Sequence, residues 1–150
     1  MDSLLRKQLP YGKILGTVSA ATAAINRPIL IVDDDPDIRD VLAEALIDVG
    51  FEVVTAVHGR DALQLLERMV VPPAAILLDL MMPVMDGYGF LEARMKDKSL
   101  ASIPLAIVTA GHGIDQGRIG GSTPIVRKPF DMALLVRVLR SLQAEEQRPA

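Results

Sequence analysis

The chain has 150 residues, half of them hydrophobic and 23% charged, with a net charge of −3. That balance suits one globular domain with a full core and excludes a disordered chain. The absence of cysteine excludes a disulfide framework and thiolate metal sites, and it fits a reducing, cytoplasmic setting. Aromatics at 3% without Trp, scattered basic residues and no bilayer-length apolar run argue against nucleic-acid binding and membrane insertion.

Residues 1–28 differ from the rest. Arg6, Lys7, Lys13 and Arg27 face only Asp2 there, a local +3 that leaves −6 for residues 29–150. Residues 14–25 follow three basic residues but are mostly Ala, Thr and Ser, so a loosely helical or flexible extension is expected rather than a signal peptide. The domain is expected to span residues 29–143, with a polar tail over 144–150.

Ile29 to Val32 is a short apolar run, read as the first strand. Asp33, Asp34 and Asp35 follow, with Asp35 suited to cap a helix and Pro36 to begin it. Ile38, Val41, Leu42, Ala45, Leu46 and Val49 recur at helical spacing, so all six are expected on the inner face, and Gly50 ends the helix. Glu52 to Thr55 reads as a second strand. The pair His58-Gly59 reads as a turn, with the histidine facing solvent. Ala62, Leu65, Leu66 and Met69 mark a second helix that Pro72-Pro73 stops.

Ala75 to Leu78 runs apolar into Asp79, as in a strand buried on both faces that leaves the core at its carboxyl end. Pro83 and Asp86-Gly87 then turn the chain over this acid. Phe90, Leu91 and Met95 give a third helix over about 87–97. Ile103 to Thr109 is a fourth strand ending on a hydroxyl, and Ile125-Val126 a fifth. Asp131 caps a last helix with Leu134, Leu135, Val138, Leu139 and Leu142 on its inner face.

This alternation predicts a doubly wound α/β sheet. Right-handed crossovers bring Asp33, Asp34, Asp79, Thr109 and Lys128 to one sheet edge, where such folds bind ligands. Carboxylates packed together cannot all stay ionised cheaply, and a hard cation such as Mg²⁺ relieves them. An Asp in such a site can attack a phosphoryl group, with Mg²⁺ and Lys128 neutralising charge and Thr109 donating a hydrogen bond.

The blocks Ile31-Val32-Asp33-Asp34, Asp79 to Gly87, Val108-Thr109-Ala110 and Lys128-Pro129-Phe130 resemble the receiver domain of two-component response regulators, over residues 29 to about 142. The resemblance implies a flavodoxin-like, five-stranded parallel sheet of order 2-1-3-4-5. It also implies Asp79 as phosphoacceptor, with Asp34 a direct Mg²⁺ ligand, Asp33 acting through water and the Met81 carbonyl completing the shell. Thr109 matches the switch hydroxyl and Ala110 its small neighbour. Lys128 matches the lysine of the site and Pro129 a cis-proline. A sensor histidine kinase or histidine phosphotransfer protein would donate the phosphoryl group, and a downstream protein would read it.

Two features depart from that pattern. The family's switch aromatic is Ile125 here. The segment from Ala110 to Pro124 holds five glycines and is short, so the fourth helix is expected to be short or distorted; each glycine inside a helix costs about 0.8–1.0 kcal/mol relative to Ala. The leading expectation is a stand-alone receiver, not an enzyme, since about ten residues follow the last helix. A phosphorylation-independent interaction module is the alternative. A phosphohydrolase is a third class, argued against by the lack of sequence for a cap domain. An EF-hand loop from Asp33 to Glu44 fails at Ile38, where glycine is required.

Overall fold

The computed structural model describes residues 27–146. The expectations for residues 1–26 and 147–150 lie outside the described residues. Five strands pair in parallel: β1 (Ile29–Val32), β2 (Val53–Ala56), β3 (Ala75–Leu78), β4 (Leu105–Thr109) and β5 (Ile125–Arg127). Their order is β2-β1-β3-β4-β5, the expected one. Among the described residues the helices are α1 (Pro36–Asp48), α2 (Gly59–Arg68), α3 (Gly87–Met95), α4 (Lys98–Ala101), α5 (Gln116–Ile119) and α6 (Met132–Glu146).

Side chains alternate across the sheet, so β1 feeds two cores. Leu30 and Val32 join Ile76, Leu78, Ala62, Leu66, Phe90 and Leu91 on the α2–α3 side. Ile29 and Ile31 join Leu42, Leu46, Leu77, Leu135 and Leu139 on the α1–α6 side. Every residue of β1 and β3 is buried, which is why these strands read as unbroken apolar runs. Each fully buried Leu or Ile stabilises the fold by about 1.5–3 kcal/mol, so the central strands anchor the frame that carries the acids.

Local chemistry sets the helix ends. Asp35 accepts the Asp37 amide at 2.9 Å, with Pro36 in the first turn of α1. Gly50 takes φ +102° just beyond that helix, a conformation that side chains disfavour. His58 corrects the expectation of a solvent-facing turn residue. Its Nδ1 accepts the Asp61 amide at 3.1 Å while the Asp61 carboxylate accepts the Val57 amide at 2.9 Å, a reciprocal cap on α2.

Other boundaries also move. The third helix stops at Met95, and Asp97 starts the separate turn α4 by accepting the Ser99 amide and hydroxyl. Arg94 ties this turn to β4 through the Ala101 and Ile103 carbonyls, at 3.0 and 2.6 Å. The last helix continues to Glu146, into the expected polar tail. Val41, Val49 and Leu134, expected on inner faces, are 57%, 47% and 41% exposed. The apolar arcs of their helices are wider than the sheet surface that covers them.

Candidate functional site

The three carboxylates arrive from two adjacent strands. Asp33 and Asp34 follow β1, and Asp79 follows β3; Val32 pairs with Leu78 in register, so the acids leave the sheet side by side. One oxygen from each of Asp33, Asp34 and Asp79 lies within 4.8 Å of the others. Asp33 and Asp79 are buried and Asp34 is exposed. Two further contacts shape the loop at Asp33. Its Oδ1 accepts the Asp35 amide at 2.9 Å, and its carbonyl accepts Arg39 Nη1 at 2.8 Å.

Lys128 follows β5 and crosses β4 to reach the acids. Its Nζ lies 2.6 Å from Asp33 Oδ2 and 3.6 Å from Asp79 Oδ2. The Lys128 amide donates to the Thr109 carbonyl at 3.0 Å, and the Lys128–Pro129 peptide is cis. Thr109 ends β4 fully buried, and its Oγ1 accepts the Gly111 amide at 3.1 Å. The structure therefore brings together Asp33, Asp34, Asp79, Thr109 and Lys128, the whole set of side chains that the sequence directs to this edge.

Burial pushes the Asp79 carboxyl above the ordinary aspartate range, and the nearby Asp33 adds to that push. Lys128, the Thr109 hydroxyl and the Met81 amide act against it. The Met81 amide donates to Asp79 Oδ1 at 3.4 Å, a long bond, while the Met81 side chain is 64% exposed. One ammonium thus faces three carboxylates, and an all-oxygen cluster short of positive charge fits a hard divalent cation. Asp33, Asp34 and Asp79 are the side chains able to hold it.

The loop over Asp79 is tightly built. The Gly87 amide donates to the Leu80 carbonyl at 3.0 Å, and a Cβ on Gly87 would stand 2.5 Å from the Asp79 carbonyl oxygen. Val84 in the same loop takes φ +67°, a costly conformation for a β-branched side chain. Sequence reasoning found no sign of that strain, nor of the roles of Arg39 and Arg94.

The segment between β4 and β5 contains only the four-residue helix α5, as the glycines suggested. Tyr88 of α3 holds it in place: its hydroxyl accepts the Asp115 amide at 3.0 Å. Arg118 lies 4.5 Å above the Tyr88 ring and pairs with Glu92 at 2.6 Å. Ile125 is half-buried against the α2–α3 core.

The model of the response regulator receiver domain matches residues 29–140. The chain belongs to this family. As a receiver domain it is similar to Response regulator Rre1 of Synechocystis sp., at 36% identity over 79% of this chain and 52% of that protein. It is also 34% identical to the DNA-binding dual master transcriptional regulator RpaA of the same organism, over 80% of this chain and 50% of that one. The receiver chain thus spans about half the length of the curated relatives it matches. Among solved structures, chemotaxis protein CheY4 of Vibrio cholerae aligns with a TM-score of 0.67 at 32% identity, over 77% of this chain and 98% of that one. The receiver domain of sensor histidine kinase PA1611 from Pseudomonas aeruginosa, with magnesium coordinated in its active-site cleft, aligns at 0.70 and 27% identity, over 79% and 98%.

Proposed function

We propose that this receiver domain accepts a phosphoryl group on Asp79 from a phosphohistidine of a sensor kinase or phosphotransfer protein, with Mg²⁺ required. The observation that carries the reading is Lys128 Nζ set between Asp33 and Asp79 beside a third carboxylate, Asp34. Mg²⁺ bound by Asp33, Asp34, Asp79 and the Met81 carbonyl would neutralise charge on the phosphoryl oxygens. An Asp79 carboxylate oxygen attacks phosphorus, a new O–P bond forms, and the donor's N–P bond breaks with its electron pair returning to the imidazole. Lys128 leaves Asp33 in part to contact a phosphoryl oxygen. Thr109, whose Oγ1 accepts the Gly111 amide, donates its own proton to a phosphoryl oxygen, which links the start of the glycine-rich segment to the site. Added charge at one site then biases a protein-binding surface toward a downstream protein.

The relatives' names include a DNA-binding regulator, so the proposal of no nucleic-acid contact is confined to the receiver itself. No helix among the described residues is long and apolar enough to cross a membrane, and a cytoplasmic location is part of the proposal. The test is incubation with Mg²⁺ and acetyl phosphate, comparing the natural chain with Asp79→Asn. Label on the natural chain alone supports the reading, and equal label on both defeats it.

Ile125 and the four-residue α5 support a second reading, an interaction module that works without phosphate. Partner binding unchanged by phosphodonor and by Asp79→Asn would favour it. Steady turnover of a phosphate ester would instead favour a hydrolase.

A further inference from the structure

The outer side of α1 is unlike an ordinary solvated helix face. Asp37, Asp40, Glu44 and Asp48 are all exposed on it, spaced to form one acidic stripe. The only basic residue of α1, Arg39, is committed to the Asp33 carbonyl. Beside the stripe, Val41, Ile47 and Val49 are 57%, 56% and 47% exposed. Two exposed β-branched residues on the helix and a third at its C-cap leave much apolar surface in water.

This surface continues into a groove of about 440 Å³ between α1 and α6. Ala45, Asp48, Val49, Met132, Ala133 and Val136 line it. No described segment covers it. Its far side, α6, carries the exposed Arg137 and Arg140, the latter 5.7 Å from the centre of the Phe51 ring. The acidic character therefore belongs to α1.

We propose that residues 1–26 of this same chain cover the acidic-apolar face of α1 and the groove it shares with α6. Three observations carry this. The first is charge: residues 1–26 hold Arg6, Lys7 and Lys13 against Asp2 alone, opposite in sign to the α1 stripe. The second is composition. Leu4, Leu5, Leu9, Tyr11, Ile14 and Leu15 are interleaved with those cations, matching a surface that is itself acidic and apolar.

The third is the tether. The Ile29 amide donates to the Glu52 carbonyl at 2.8 Å, so the described chain begins beside the loop that leaves the end of α1. Extended, 26 residues span up to roughly 85 Å, against about 20 Å for the length of α1, so the whole face is within reach. A tethered segment also acts at high effective concentration, which lets a weak charged and apolar contact be populated.

The test uses the full chain, which lacks cysteine, so that Gln8→Cys carries a single nitroxide spin label. Amide NMR signals of ¹⁵N-labelled protein are compared with the label oxidised and reduced. The expected result is selective loss of signal at Val41, Glu44, Ala45, Asp48, Ala133 and Val136, while signals of α3 and α4, on the opposite side of the sheet, stay sharp. That loss should weaken at about 1 M salt, where the Debye length is about 3 Å. It should also weaken in the exposed double variant Glu44→Lys/Asp48→Lys, whose thermal midpoint should match the parent. Even signal loss across the domain, or none, overturns the proposal. Loss that appears when spin-labelled, unenriched chain is mixed with unmodified ¹⁵N chain assigns the face to a second copy and overturns it as well. None of these outcomes depends on phosphorylation of Asp79.

Discussion

Asp79 is held where its charge is costly, and the cost has a sign. Burial and Asp33 raise its folded value above the ordinary 3.8, so between the two values the folded chain keeps a proton that the unfolded chain has lost. The penalty is absent below 3.8 and complete above the folded value. Metal-free protein should therefore lose stability as pH rises through that window. Asp79→Asn should remove the dependence and raise the urea midpoint of the metal-free protein at neutral pH, measured in EDTA. Mg²⁺ should reverse the balance, adding about 1.4 kcal/mol to the natural chain at ten times its dissociation constant. Lys128 has the opposite role. Lys128→Ala leaves the buried Asp33 beside Asp79 without its cation and should cost about 3 kcal/mol in metal-free buffer. An unchanged midpoint would show that the pair contributes nothing to stability.

At the scale of elements, the loop from Leu80 to Gly87 and the segment before β5 are where the fold is tuned. Val84 sits at φ +67° with its side chain 73% exposed, so strain there is not offset by packing. Val84→Asn should raise stability by about 1 kcal/mol, since Asn tolerates this conformation. Gly87→Ala should do the reverse and cost about 2 kcal/mol or more, because its Cβ would meet the Asp79 and Leu80 backbone. Tyr88→Phe removes the acceptor of the Asp115 amide. Hydrogen exchange over residues 111–120 should quicken, while the global midpoint moves by less than about 1 kcal/mol. Exchange rates equal to the parent's would mean that Tyr88 does not hold α5.

These elements also mark what the amino-acid order could reveal. Strands buried on both faces announced themselves as apolar runs, and the Asp35-Pro36 cap is chemistry confined to neighbours. Lys128 was legible as a strand-end cation, but its partner Asp33 lies 95 positions away, and nothing local says which acid it takes. The α4 turn was hidden because its start at Asp97 looked like the end of α3. The reciprocal cap of His58 and Asp61 is signalled by an acid three residues after the histidine. Helical spacing overstated burial at Val41 and Val49 because spacing shows which side a residue takes, not how far the sheet extends beneath it.

For the whole molecule, a sheet with helices on both sides gathers four distant strand ends into one acidic pocket with one ammonium. The central claim is that this pocket makes Asp79, and no other carboxylate, a phosphoryl acceptor. The most direct measurement treats the chain with Mg²⁺ and acetyl phosphate, reduces any acyl phosphate with borohydride, and maps the product by peptide mass. The account predicts homoserine at position 79 alone, formed only with Mg²⁺ present. Homoserine at position 33 or 34, or an equal yield in EDTA, would contradict it.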